Sequence, residues 1–282
     1  MTKKQIALSV VVVAIMGYLY SLPVKGLIKP KETRTNTAGV ASVTKQTASI
    51  TVASVSALAM PSLETTASQQ ITTLENKLKA ASDDAGKLTL QRQLAAQWDT
   101  ANQPAPAAFY YQEIAHKSNA MADWLNAGNR FNAAYRVTQD TLAQGAFVTN
   151  AVEAFEHATK LQPASLEAKT GLGVAYVNGG AMPMQGIALL LDVVKQQPNN
   201  REANLNLGMF SMKSGQYEKA VQRFKTLIAQ KEEVEPYFYL AESYKQLGQK
   251  QEAIAAYEKC KELMGDPVAG QRIDEYIKEL KK

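Results

Sequence analysis

A frame of small and large apolar residues recurs along this chain, and near the C-terminus its period is 33 residues. Leu207, Gly215, Ala220 and Phe224 are followed at that distance by Leu240, Gly248, Ala253 and Tyr257. Each unit also holds two small residues twelve or thirteen positions apart: Ala95 and Ala107, Gly173 and Gly186, Gly208 and Ala220, Ala241 and Ala253. A fifth pair, Gly128 and Ala151, has a wider gap. Two helices of one hairpin cross closely only where both present little side chain. A lone hairpin leaves its apolar face uncovered, so copies must stack on one another. A period of this size therefore predicts a line of helical hairpins rather than a compact catalytic domain.

The units can be read residue by residue. In 121–165 a first helix carries Trp124, Ala127, Gly128 and Phe131; a second carries Ala151, Phe155 and Ala158, with Pro163 after it. Residues 166–200 give Leu172, Gly173 and Tyr176, then Gly186, Leu190 and Val193, and Pro198. Residues 201–233 give Asn204, Leu207 and Gly208, then Ala220, Phe224 and Leu227. Residues 234–267 give Tyr237, Leu240, Ala241 and Tyr244, then Ala253, Tyr257, Cys260 and Pro267. A weaker unit at 88–120 has Leu94, Ala95 and Trp98, then Ala107, Tyr111 and Ile114. Gly215 and Gly248 suit the turn inside a hairpin, where a positive φ is often needed.

This frame resembles the tetratricopeptide repeat, a family whose motif is a pair of antiparallel helices, A and B. The resemblance covers 88–267 and implies an all-α, right-handed solenoid of about five hairpins. The unit at 121–165 departs from it by about 11 extra residues between Phe131 and Ala151. Asn132–Asn150 keeps helix-forming residues, so long helices projecting past their neighbours are expected, with Gly145 at the turn. Upstream, Ile71, Leu74, Leu78, Ala81, Ala85 and Leu88 form one helical stripe. Ser82 or Asp83 is placed to cap a helix within it. Downstream, Val268, Ile273, Tyr276, Ile277 and Leu280 share a face of a terminal helix whose other face is charged, which reads as a cap at 268–282.

The N-terminal end is of another kind. Lys3 and Lys4 precede Ile6–Leu22, an uncharged apolar run of 17 residues ended by Pro23. As a helix it would span roughly 25 Å, near the short limit for a bilayer crossing, and Tyr18 and Tyr20 suit an interfacial belt. The expected domains are a signal anchor or transmembrane helix at 1–24, a disordered Ser/Thr/Ala-rich linker at 25–68 with at most a weak strand at Thr51–Ala59, and the repeat array at 69–267. The run Tyr-Ser-Leu-Pro-Val-Lys makes a poor cleavage site, which favours a retained anchor. Flanking charges nearly cancel; the short basic N-terminus favours an extracytoplasmic, periplasmic repeat domain.

Charge and residue inventory narrow the function. The chain is +5 and residues 1–45 alone are +6, so residues 46–282 sum to −1. The array lacks the basic excess that nucleic-acid binding needs. One cysteine, Cys260, permits no internal disulfide, and it holds an inter-helix packing position. His116 and His157 have no metal-ligand spacing. No nucleophile motif, phosphate loop or metalloprotease signature is present, so neither catalysis nor a cofactor is expected.

The resemblance implies instead a concave groove lined by the A helices that takes protein or peptide partners. By motif position its binding residues are Asn126, Asn129, Asn178, Asn206, Met209, Met212 and Tyr239, with Leu125, Asn132, Val174 and Lys245 nearby. Asn amides can hold both N–H and C=O of an extended backbone, and methionines give an adaptable apolar floor. The carboxylate clamp of some family members is not expected: Leu125 stands at its lysine position, and Glu202 and Asn206 occupy the place of its cationic pair. The expected object is a membrane-tethered, noncatalytic scaffold. A secreted repeat protein after signal cleavage, a cytosol-facing receptor and a noncatalytic subunit of an envelope enzyme stay open as alternatives, as does self-association.

Overall fold

The computed structural model describes residues 50–282, and all regular structure among them is helical. The apolar run Ile6–Leu22 and residues 25–49 of the expected linker lie outside the described residues. Within the described part no helix is long and apolar enough to cross a membrane. The α-helices are α1 (Val52–Ala59), α2 (Thr65–Ala80), α3 (Asp84–Thr100), α4 (Pro104–Ser118), α5 (Met121–Val137), α6 (Thr141–Leu161) and α7 (Leu166–Gly179). They continue with α8 (Pro183–Gln196), α9 (Arg201–Lys213), α10 (Tyr217–Gln230), α11 (Val234–Gln246), α12 (Lys250–Met264) and α13 (Pro267–Leu280). From α2 on, each helix packs on the next, as a solenoid requires. The five repeat units are the hairpins α3–α4, α5–α6, α7–α8, α9–α10 and α11–α12.

Local sequence sets the helix ends. Side-chain oxygens of Asp83, Asp140, Ser165, Asn200 and Asp266 accept from backbone N–H groups in the first turns of α3, α6, α7, α9 and α13. These N–H groups have no partner inside the helix, so each cap is worth about 1 kcal/mol. Pro104, Pro183 and Pro267 open α4, α8 and α13, where a missing N–H costs nothing. The A–B turns of the fourth and fifth hairpins place Gly215 at φ +73° and Gly248 at φ +72°, as their spacing predicts.

Packing follows the small–large frame. Ala95, Ala107, Ala151, Ala220, Ala241 and Ala253 have no exposed surface. A Cβ placed on Gly186 would lie 2.4 Å from the carbonyl oxygen of Gly173, so α7 and α8 touch backbone to backbone. Gly128 and Gly208 make room for rings instead: a Cβ there would fall 2.7 Å from Phe155 and 2.6 Å from Phe224. The apolar stripe of α2 packs on the first hairpin, with Ile71 in one cluster with Leu94, Trp98 and Ile114. Trp98, Trp124 and Cys260 are buried core residues.

Four expectations are corrected. The linker expected at 25–68 is helical from Val52 on: α1 buries Val55 and Ala59, and the Ser56 hydroxyl donates to Glu75 Oε1 at 2.6 Å. Spacings of three and four put Val52, Val55, Ser56 and Ala59 along the covered side, while Leu58 is exposed; burial of Val55 and Ala59 outweighs the weak helix propensity of valine and serine. The weak strand proposed for Thr51–Ala59 is this same helix. Gly145 does not mark the turn of the second hairpin but lies inside α6; the turn is 138–140, where Gln144 Nε2 donates to the Thr138 carbonyl and Asp140 caps. Val268, placed on the buried face of the last helix, is 72% exposed, while Ile273, Ile277 and Leu280 are buried.

The insertion does lengthen its hairpin, to 17 residues in α5 and 21 in α6. Val137 and Leu142 at its tip are exposed. Its inner side is anchored: Phe147 joins Phe109 and Phe131 in a cluster with centroid distances of 5.1–6.4 Å.

Candidate partner-binding surface

From α5 on, successive A helices (α5, α7, α9, α11) come nearer to one another than successive B helices do. These A helices therefore lie on the more closely packed side of the array, where the resemblance implies a groove. Polar side chains stitch this inner layer together. Arg92 donates twice to Asp123, at 3.0 and 2.9 Å, and Arg130 donates twice to Asp99, at 2.5 and 3.0 Å, both across α3 and α5. Between α5 and α7, Asn129 Nδ2 donates to Glu167 Oε1 at 3.2 Å, Asn132 Nδ2 to the Gly171 carbonyl at 3.1 Å, and Tyr135 to the Asn178 carbonyl at 3.2 Å. Between α9 and the start of α11, Arg201 donates to Glu233 at 2.8 and 2.5 Å.

The residues singled out for binding fall into three groups. Asn126 is exposed, while Asn129 and Asn178 are half-buried; these three present amides at the surface. Met209, Met212 and Tyr239 are half-buried against the C-terminal core, and the Tyr239 ring stacks on Phe224 at 5.6 Å. Asn206 is different. It is buried, and its Nδ2 donates to the Glu202 carbonyl of its own helix at 2.9 Å. Buried polar groups take whatever partner lies in reach, and here that partner is one turn away.

The sequence reading named Glu202 only as an occupant of the clamp position and missed the acidic row to which it belongs. Glu167, Glu202 and Glu235 each sit in the first turn of an A helix, where the helix dipole favours a carboxylate. Their 33- to 35-residue spacing was a usable signal. Glu202 is exposed, with protein crowded near part of its carboxyl. This desolvation, with repulsion from Glu167, raises its carboxyl above the usual range against the opposing pull of Arg136 and Arg201. Burial likewise raises the Tyr239 phenol, with a contribution from Glu235. Arg136, at the end of α5, and Arg201, at the start of α9, are the cations near this acidic row, and Arg201 also lies 3.6 Å from Glu235. Among the described residues, no three His, Cys, Asp or Glu side chains come together to hold a metal. The face offers hydrogen-bonding and apolar contacts of mixed charge.

Comparison with known proteins agrees with this architecture. Residues 234–267 match the family model of the tetratricopeptide repeat. No curated protein sequence matches the chain. A tetratricopeptide repeat protein from Parabacteroides merdae superposes with a TM-score of 0.56 at 12% identity, covering 82% of this chain and 84% of that one. A thermophilic one from Thermus thermophilus superposes with a TM-score of 0.54 at 18% identity, covering 67% of this chain and 97% of that one. Residues 50–282 thus form an all-helical solenoid similar in fold to tetratricopeptide repeat proteins, and residues 234–267 are similar to that repeat in sequence as well.

Proposed function

We propose that this chain is a noncatalytic scaffold that holds a protein or peptide partner on its inner face, tethered to a membrane by its N-terminal apolar run. The observation that carries the first half is the inner layer of A helices, with Asn126, Asn129, Asn178 and Tyr239 accessible beside apolar Met209 and Met212. Such a surface pairs backbone-directed amides with an adaptable floor. Backbone amides of α-helices are already bonded within the helix, so recognition falls to side chains of this sort. Support for the tether is the uncharged Ile6–Leu22 run with Lys3 and Lys4 before it. The repeat domain is assigned to the extracytoplasmic side.

A photo-reactive residue at Asn126 or Asn129 tests the groove in cells. Partner adducts are expected there and not from Glu252, which is exposed on α12. Equal yields from all three sites, or none from the groove sites, reject it. Alkaline extraction of membranes tests the tether, and protease protection tests its side. Recovery of the full-length chain in the soluble fraction rejects anchoring.

A further inference from the structure

We infer that a second docking surface lies between the third and fourth hairpins, on the side of the B helices, and that it takes an acidic amphipathic helix of a partner protein. The junction there is built differently from the others. Helices α8 and α9 approach less closely than α4 with α5, α6 with α7 or α10 with α11. Polar stitches join α3 to α5, α5 to α7 and α9 to α11. Among the described residues, no side-chain hydrogen bond or ion pair joins α7 to α9. The apolar core also thins here to a small cluster around Val174, Leu190 and Leu207, between larger clusters on either side.

The looser junction leaves a cleft of about 720 Å³ between α8, the end of α9, and α10. That is within the range of ligand-sized cavities. Its α8 wall is a stripe of Met184, Ile187 and Leu191, at i, i+3 and i+7. Met184 is 78% exposed and Leu191 44% exposed. The opposite wall supplies Lys213, Lys219 and Arg223, and no carboxylate lines the cleft. None of these three cations is in an ion pair among the described residues. Burial lowers the Arg223 pKa; its Nη1 reaches only the neutral Asn204 Oδ1 at 3.1 Å.

These features select the occupant. The walls are helices whose backbone groups are spent internally, so an extended strand would find no ladder to join. A helix needs only side-chain contacts, and the α8 stripe, about 10 Å long, matches two turns of one. Three unpaired cations call for Asp or Glu beside its apolar anchors. The chain's own apolar run is excluded as occupant by its flanking Lys3, Lys4 and Lys25, which would meet like charge.

The test uses the full-length chain and two labelled helical peptides of about 16 residues, with one leucine stripe and either glutamate or lysine flanks. Fluorescence anisotropy is expected to show the glutamate peptide binding at least about tenfold tighter at low salt, with the preference shrinking as salt rises. M184S/L191S is expected to lose that binding, and K213E/K219E to reverse the preference. All four positions are solvent-facing, and circular dichroism checks that each variant stays folded. Equal affinity for both peptides, no binding of either, or glutamate-peptide binding that survives M184S/L191S overturns the inference. So does concentration-dependent self-association abolished by M184S/L191S, because the occupant is then a second copy of this chain. The outcome is independent of the inner face.

Discussion

Gly173 and Gly186 meet across the third hairpin with no room for a methyl group on either. A Cβ on Gly186 would stand 2.4 Å from the Gly173 carbonyl oxygen, and one on Gly173 would stand 2.9 Å from that of Gly186. Backbone atoms cannot step aside as a flexible side chain does. G186A is therefore expected to cost about 1–3 kcal/mol through overpacking. G145A is the contrasting variant. Gly145 lies inside α6 with nothing within 4 Å of the added carbon, so alanine there should stabilise by about 0.5–1 kcal/mol. Thermal unfolding of the two variants should shift in opposite directions.

The first and second hairpins are joined by Arg92 and Asp123. Burial alone would raise the Asp123 carboxyl, but hydrogen bonds from Arg92 and Ser118 outweigh it and hold the group below its usual range. A depressed carboxyl stabilises the fold above the pKa of the unfolded chain, and that contribution is lost as pH falls through the folded value. D123A is expected to cost about 1–3 kcal/mol at neutral pH. Its deficit against the parent should shrink in strong acid, as denaturant titrations at several pH values would show.

Glu202 works in the opposite sense. Desolvation and Glu167 lift its carboxyl, so its contribution is fully present below the ordinary glutamate range and is lost as pH rises through the folded value. Glu202 is exposed, so water screens the effect: E202Q should raise the melting temperature only slightly at neutral pH, with a smaller gain still near about pH 4. A variant that melts lower at neutral pH would show that this carboxylate is held by attraction.

The terminal helix covers the last hairpin through Ile273 and Ile277, and the Tyr276 ring lies 5.6 Å from that of Tyr257. I273A is expected to cost about 2–5 kcal/mol. Cys260 offers a direct readout. It is buried, burial raises its thiol pKa, and its Sγ–H points to the Val234 carbonyl at 3.6 Å. Thiol labelling in the parent should be slow and limited by opening of the fifth hairpin. I273A should accelerate it.

Much of this fold was legible because its determinants are local or periodic. Asp83 caps α3, Gly215 and Gly248 turn left-handed, and the small pairs mark the crossings. What escaped depends on contacts distant in sequence. Nothing near Val52–Ala59 announces that α4 will cover it. Gly145 reads as a turn until Asp140 is seen to cap the helix first. Motif position gives the direction of a side chain, and Asn126, Asn129 and Asn178 are exposed or half-buried. It does not say that Asn206 closes on its own helix.

The Phe155 ring fills the space that a Cβ on Gly128 would need on one side and a Cβ on Gly171 on the other, 2.7 and 2.1 Å from its carbons. Held between α5 and α7, the ring cannot turn over unless those helices part. The exchange rate of its two edge protons in a nuclear magnetic resonance spectrum is therefore a clock for how often neighbouring repeats breathe.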